Sequence, residues 1–218
     1  LMAFLEELGH ASPSVLAYSY PVYRDMLEHI GVGTAYYLGA WEGPRLVGLL
    51  PGFVRRTELG TVYSSLPFFG PNAGVVCPPE RIGEVHGPLL RAAMDFTRSQ
   101  PDPLSASFYT PFLGPTEGYE RELPEALVIE RFTQYQSLDQ VNPERKYDVR
   151  KANSSGVHVA DCLPDQRDAL YDLYADNCQE FGIPLKPRAA VRWLLEHGGE
   201  QVRSYLAWRE GEMVAGLI

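Results

Sequence analysis

The sequence predicts an α/β fold of the α+β type, a mixed sheet flanked by helices, whose opening elements occur twice along the chain. Three observations carry this. Strand-like runs alternate with stretches in which apolar residues recur every three or four positions, the pattern of a sheet layered with helices. Residues 27–38, Leu-Glu-His-Ile-Gly-Val-Gly-Thr-Ala-Tyr-Tyr-Leu, lie without a gap on residues 195–206, matching at Leu, Glu, His, Gly, Tyr and Leu. Beyond that match, Ala40-Trp41 and a Gly turn leading to Val47-Gly48-Leu49-Leu50 are answered by Ala207-Trp208 and a Gly turn leading to Val214-Ala215-Gly216-Leu217. The expected organisation is a first domain over 1–138 and the opening half of a second copy over 139–218, incomplete at its far end. A strand left at Ile218 without its neighbours is an edge open to pairing, so a dimer through the C-terminal strand is expected.

Taken in order, Val22, Met26, Leu27 and Ile30 share a helix face that Gly31 ends. Strands are expected over 35–41 and 45–54, with Glu42-Gly43-Pro44 as the turn between them. Thr61–Leu66 and Gly74–Cys77 read as extended, and the two prolines of Pro67-Phe68-Phe69-Gly70-Pro71-Asn72-Ala73 make the segment between them a loop. Ile82, Val85, Leu89, Leu90 and Ala93 predict a helix over 79–98, followed by strands over 104–109 and 126–137 around a Gly/Pro/Glu-rich connection. Asn142-Pro143-Glu144 is a helix start, with a capping amide, proline at the first helical position and an acid near the positive end of the dipole. A short strand over 157–160 and helices over 165–180 and 188–197 lead into the second hairpin.

With 45% hydrophobic residues the chain can bury a sizeable core, and a net charge of -9 argues against a surface that grips DNA. Cys77, Cys162 and Cys178 form no CxxC pair and no even set, so reduced thiols in the cytoplasm are the simplest reading, without a metal. No signal peptide or uninterrupted apolar span is present in these residues. The G-x-S-x-G, G-x-x-x-x-G-K-[ST] and H-E-x-x-H motifs are absent, and Gly31-Val32-Gly33 precedes a strand where a dinucleotide fingerprint would open a helix.

The densest cluster of chemistry is Arg145-Lys146-Tyr147-Asp148-Val149-Arg150-Lys151. Lys146 and Arg150 share a helix face, with Tyr147 three residues from Arg150 and four from Lys151. In so acidic a chain these cations suit a phosphate, Arg as a fork and Lys as a point charge, or they form a solvated basic face offset by Glu144 and Asp148. Composition favours the solvated face. The loop bearing Phe69 and Asn72 reads equally as a ligand lip and as ordinary turn chemistry. Asn177 falls in the expected apolar stripe Leu170, Leu173, Tyr174, Asn177 and Phe181, which makes it a buried structural amide or a group aimed at a ligand, the former favoured. His29 and His197 occupy equivalent helix ends and suit the dipole there, while His10, His86 and His158 lack a partner at useful spacing.

The hairpin Tyr36-Tyr37-Leu38-Gly39-Ala40-Trp41-Glu42-Gly43-Pro44-Arg45-Leu46-Val47-Gly48-Leu49-Leu50-Pro51, then Ser65-Leu66-Pro67-Phe68-Phe69-Gly70-Pro71-Asn72-Ala73-Gly74, then residues 145–157 form an ordered series. In that order they resemble the FemAB-like acyltransferases, built from two tandem GNAT (N-acetyltransferase-fold) domains. The resemblance implies a GNAT-like sheet and transfer of an acetyl, acyl or aminoacyl group to an amine of a cell-envelope precursor or amino sugar. The donor would be acyl-CoA or aminoacyl-tRNA, the acceptor a small or nucleotide-linked amine, and tRNA a partner in the second case. It also implies that Lys146 and Arg150 lie near the acceptor's phosphates, beside Tyr147 and Lys151, and that Phe69 to Asn72 line the acceptor cleft. The chain departs from ordinary GNAT enzymes in lacking the Gln/Arg-x-x-Gly-x-Gly/Ala loop that holds the coenzyme A pyrophosphate. Acyl transfer also needs a proton acceptor, for which Tyr109 at a strand end is the candidate. The alternative is a non-catalytic binding or assembly module on the same fold.

Overall fold

A computed structural model describes residues 1–9, 15–65, 72–112, 114, 116–130 and 142–218. The chain separates into two compact units, Leu1–Arg131 and Phe132–Ile218. The expected boundary at 138/139 lies outside the described residues.

The first unit opens with α1 (Met2–Gly9) and α2 (Pro21–His29), which bury Leu5 and Leu8, and Tyr23, Met26 and Leu27. β1 (Thr34–Ala35), β2 (Leu38–Glu42), β3 (Arg45–Leu50), β4 (Phe53–Thr57) and β5 (Gly60–Ser64) follow, then α3 (Ile82–Ser99), β6 (Pro103–Ser107) and α4 (Glu117–Glu122). β2 and β3 pair as an antiparallel hairpin, while a second sheet runs in the order β1-β4-β5-β6. In that sheet β5 and β6 are parallel, the two strands joined through α3. The helix lays Val85, Leu89, Leu90 and Ala93 into the main core with Leu50, Val54, Tyr63 and Val75. Each large side chain buried there contributes roughly 1.5–3 kcal/mol of transfer free energy. On the other side of the hairpin, Leu5 and Leu8 of α1 close over Leu49 and Val76.

Three local expectations are corrected. Residues 45–54 do not form one strand, because Pro51-Gly52 ends β3 and the chain leaves to pair with β5. At that corner Tyr36 N–H donates to the Gly52 carbonyl at 2.7 Å. The Gly/Pro/Glu-rich connection contains a helix, α4, seated by the ring of Tyr119 in the core. Residues 126–130 are not strand, and the rest of that expected strand lies outside the described residues.

The second unit comprises α5 (Pro143–Ser154), β7 (His158–Asp161), α6 (Arg167–Phe181), α7 (Arg188–His197), β8 (Tyr205–Arg209) and β9 (Glu212–Leu217). The cap forms as its residues dictate: Asn142 Oδ1 accepts from the Glu144 N–H at 2.9 Å. β7, β8 and β9 make an antiparallel sheet, and α6 packs Leu170 toward the fully buried Leu206. Arg188 bridges Asp168 and Asp172, and Arg192 reaches Asp168 at 2.9 Å, tying α7 to α6.

The repeat extends to a defect in the pairing. In the first hairpin Ala40 faces Gly48 but Trp41 faces Leu46, leaving Val47 as an extra residue. In the second, Ala207 faces Ala215 but Trp208 faces Met213, leaving Val214 as the extra residue. The same bulge falls at the same Ala-Trp step in both units. Counting from it, Leu38, Glu42, Gly48, Leu49 and Leu50 correspond to Tyr205, Arg209, Ala215, Gly216 and Leu217. The two strand glycines that match by eye in the sequence are therefore not equivalent. They point to opposite faces.

Candidate functional site

In open α/β sheets ligands bind beyond the carboxyl ends of the parallel strands. Here those ends belong to β5 and β6. Ser65, just past β5, donates its N–H to the Ser107 carbonyl at 2.9 Å and accepts the Tyr109 N–H on its hydroxyl at 2.9 Å. The returning segment is tied to the same place, Ala73 N–H donating to the Thr110 carbonyl at 3.1 Å. Gly74 then passes with φ +120, so close that a Cβ would lie 2.2 Å from the Tyr119 hydroxyl and 2.7 Å from the Tyr109 carbonyl. Only glycine fits there.

Two buried phenols stand behind this crossing. Tyr119 accepts the Val75 N–H on its hydroxyl at 3.3 Å, and Tyr63, 1% exposed, has a hydroxyl without a hydrogen-bond partner among the described residues. Desolvation raises the pKa of both well above the ordinary tyrosine value, for Tyr63 reinforced by neighbouring tyrosines and for Tyr119 opposed by the Val75 bond. Both hydroxyls keep their protons at neutral pH and can donate. An unpaired buried hydroxyl costs about 1–3 kcal/mol, so the Tyr63 proton invites a ligand or water. His86 meets Tyr119 edge-on at 4.5 Å, and burial, with the Arg121 charge, holds its pKa down against the pull of Glu122.

Of the residues singled out from sequence, Asn72 and Tyr109 come together here, both half-buried on adjoining segments. Phe69 lies outside the described residues. Tyr63, Ser65, His86 and Tyr119 escaped sequence reasoning, because their meeting depends on strand pairing across more than thirty residues. The available signal was Tyr119 followed four residues later by Leu123, a helical step within the presumed loop.

Lys146, Tyr147, Arg150 and Lys151 sit together on α5, in the second unit, every one of them exposed. Arg150 Nε donates to the Lys146 carbonyl at 3.2 Å, one turn back, and Arg145 pairs loosely with Asp148 at 3.5 Å. Among the described residues Lys146 and Lys151 have no carboxylate within salt-bridge reach. Tyr147 is 59% exposed, and no residue of α5 is buried. Asn177 is corrected: the buried line of α6 is Leu170, Tyr171 and Cys178, which turns Asn177 outward to solvent and leaves Phe181 exposed as well. Among the described residues no helix is long and apolar enough to cross a membrane.

Comparison with solved structures bears on the arrangement as a whole. The crystal structure of FemX superposes on 94% of this chain with a TM-score of 0.63, at 11% sequence identity. The chain has a FemX-like fold. It spans 55% of the FemX chain. No protein-family profile and no curated protein matches the sequence.

Proposed function

We propose that this chain is part of a Fem-type transferase that moves an acyl or aminoacyl group onto an amine of a cell-envelope precursor. The observation that carries the proposal is the FemX-like fold over 94% of the chain, since Fem-type proteins act on peptidoglycan precursors. The exposed cations of α5 support it with a surface suited to acceptor phosphates. In this reading Lys146 and Arg150 hold those phosphates, with Lys151 adding charge and Tyr147 a face for a base or sugar. Asn72 and Phe69 line the acceptor cleft, and the outward Asn177 is available to bound substrate. The domains are tandem GNAT-like halves, and the donor, acyl-CoA or aminoacyl-tRNA, is a cytoplasmic metabolite, which sets the location.

The reaction joins the acceptor nitrogen to the donor carbonyl carbon and breaks the carbonyl's bond to the CoA sulfur or the tRNA ribose oxygen. The amine must be neutral, and its proton leaves as the C–N bond forms, passing to water or a side chain and finally to the leaving group. Tyr109 is our candidate for that relay, and the protonated hydroxyls of Tyr63 and Tyr119 suit donation to developing negative charge.

The test is a transfer assay on the full-length protein with both donor classes and nucleotide-linked amino-sugar acceptors. Lys146→Ala with Arg150→Ala is expected to raise acceptor KM by about tenfold or more with kcat little changed, each charge-assisted contact being worth about 1.5–3 kcal/mol. An unchanged KM overturns the phosphate role. Absence of transfer from either donor overturns the activity.

A further inference from the structure

In the first unit the hairpin is covered on both faces. α1 lies over Gly39 and Leu49, while α3 lies over Leu38, Ala40, Gly48 and Leu50. In the second unit α6 covers the first of these faces, over Leu206 and Gly216. The face equivalent to that under α3 is bare among the described residues. It presents Val159, Tyr205, Ala207, Ala215 and Leu217, with Val159 66% and Leu217 65% exposed. A contiguous apolar sheet face of this kind marks an interaction site.

Two substitutions between the repeats say what fits it. Gly48 lets Val85 of α3 come so close that a Cβ would fall 2.2 Å from Val85 Cγ1. Its equivalent is Ala215, whose methyl occupies that space, so the covering helix needs glycine or alanine where α3 has Val85. The closing pair of the first hairpin is Glu42 with Arg45, and Glu42 holds Arg81 at the head of α3 at 3.2 Å. In the second hairpin the closing pair is Arg209 with Glu212, the charges reversed. Arg209, whose side chain is 53% exposed, has only Glu210 at 3.9 Å for company. It calls for an acid where α3 carries Arg81, one turn before the small residue and at the end of a helix where a negative charge is favoured.

We propose that this face is the docking site of an amphipathic helix from a partner polypeptide. Its interface reads acid, then glycine or alanine four residues on, then a leucine pair after four more, as Arg81, Val85, Leu89 and Leu90 are spaced in α3. The inference is independent of the transferase reading, since it rests on the sheet alone.

Fluorescently labelled peptides spanning residues 79–99 test it, one with the native sequence and one carrying Arg81→Glu and Val85→Ala, their helicity matched by circular dichroism. Titrated with the whole chain and followed by anisotropy, the substituted peptide is expected to bind at least about tenfold tighter, because a clash and a like-charge contact are both removed. Arg209→Glu in the chain should reverse the preference at peptide position 81, and Val159→Asp or Leu217→Asp should abolish binding, either one serving if the other disturbs the fold. Equal binding of the two peptides, no binding of either, or binding indifferent to both aspartates overturns the proposal. So does sedimentation showing a dimer that Val159→Asp or Leu217→Asp dissolves, which makes a second copy the occupant.

Discussion

The two hairpins share a bulge at the same Ala-Trp step yet distribute their glycines differently. On the face toward α1 or α6, each carries one glycine–leucine cross-strand pair, Gly39 with Leu49 in the first unit and Leu206 with Gly216 in the second. The volume is kept and only its side exchanged, the kind of change a packed layer tolerates. On the opposite face Ala40 with Gly48 becomes Ala207 with Ala215, and there the volume is not kept. Moving a strand glycine by one position transfers the place of closest helix approach to the other face of the sheet, because side chains alternate. The first unit is cut to receive α3 tightly on that face. The second is cut to receive α6 on the other.

The comparison is broken or sharpened by substitutions at matched positions, scored by chemical denaturation with hydrogen exchange to separate the units. The largest difference is expected at the equivalent leucines: Leu50→Ala should cost about 2–5 kcal/mol, whereas Leu217→Ala should stay within about 0.5 kcal/mol. Next, Gly48→Ala and Gly216→Ala should each cost about 1–3 kcal/mol, since the new methyl meets Val85 in one and Leu170 in the other. Ala215→Gly, on the bare face, should cost less than about 1 kcal/mol. Smaller again is Asn142→Ala, expected to lose about 1 kcal/mol from α5 alone, seen as faster exchange of its first-turn amides.

The units should also differ at alkaline pH. Tyr37, Tyr63 and Tyr119 hold their protons more tightly in the folded first unit than in the unfolded chain, and burial pushes the Cys77 thiol up to about 11. Their contribution is intact below the unfolded values, about 8.5 for a thiol and about 10 for a phenol, and is lost as pH rises through them. The second unit has a raised phenol only at Tyr174, and a raised thiol at Cys162. Unfolding followed by pH from neutrality upward should therefore release the first unit before the second.

Much of the architecture was legible in the sequence. The cap at Asn142, the helices of both units and the paired hairpins follow from local chemistry that acts within a few residues. What escaped was set at longer range. The bulge leaves no residue signature of its own, so aligning by eye matched Gly48 to Gly216 and hid the reversal of faces. Pro51-Gly52 lies within an apolar run, and only the pull of β5 on β4 shows that the strand ends there. Asn177 was placed in the apolar stripe because α6 was read one step around its axis from the line Leu170, Tyr171 and Cys178 that the structure buries. Of the candidate site, the basic residues of α5 were readable as a run, while the group of Tyr63, His86 and Tyr119 is assembled by the sheet.

Thiol labelling reports on the two faces most directly. With Cys162, the half-exposed one of the three free cysteines, replaced by serine, single cysteines at positions 50, 206 and 217 are challenged with a thiol reagent. The expected result is rapid labelling at 217 and protection at 50 and 206, because Leu217 is 65% exposed while Leu50 and Leu206 are 0% exposed. Protection at 217 equal to that at 50 would mean that both hairpins are covered alike, and would contradict the account.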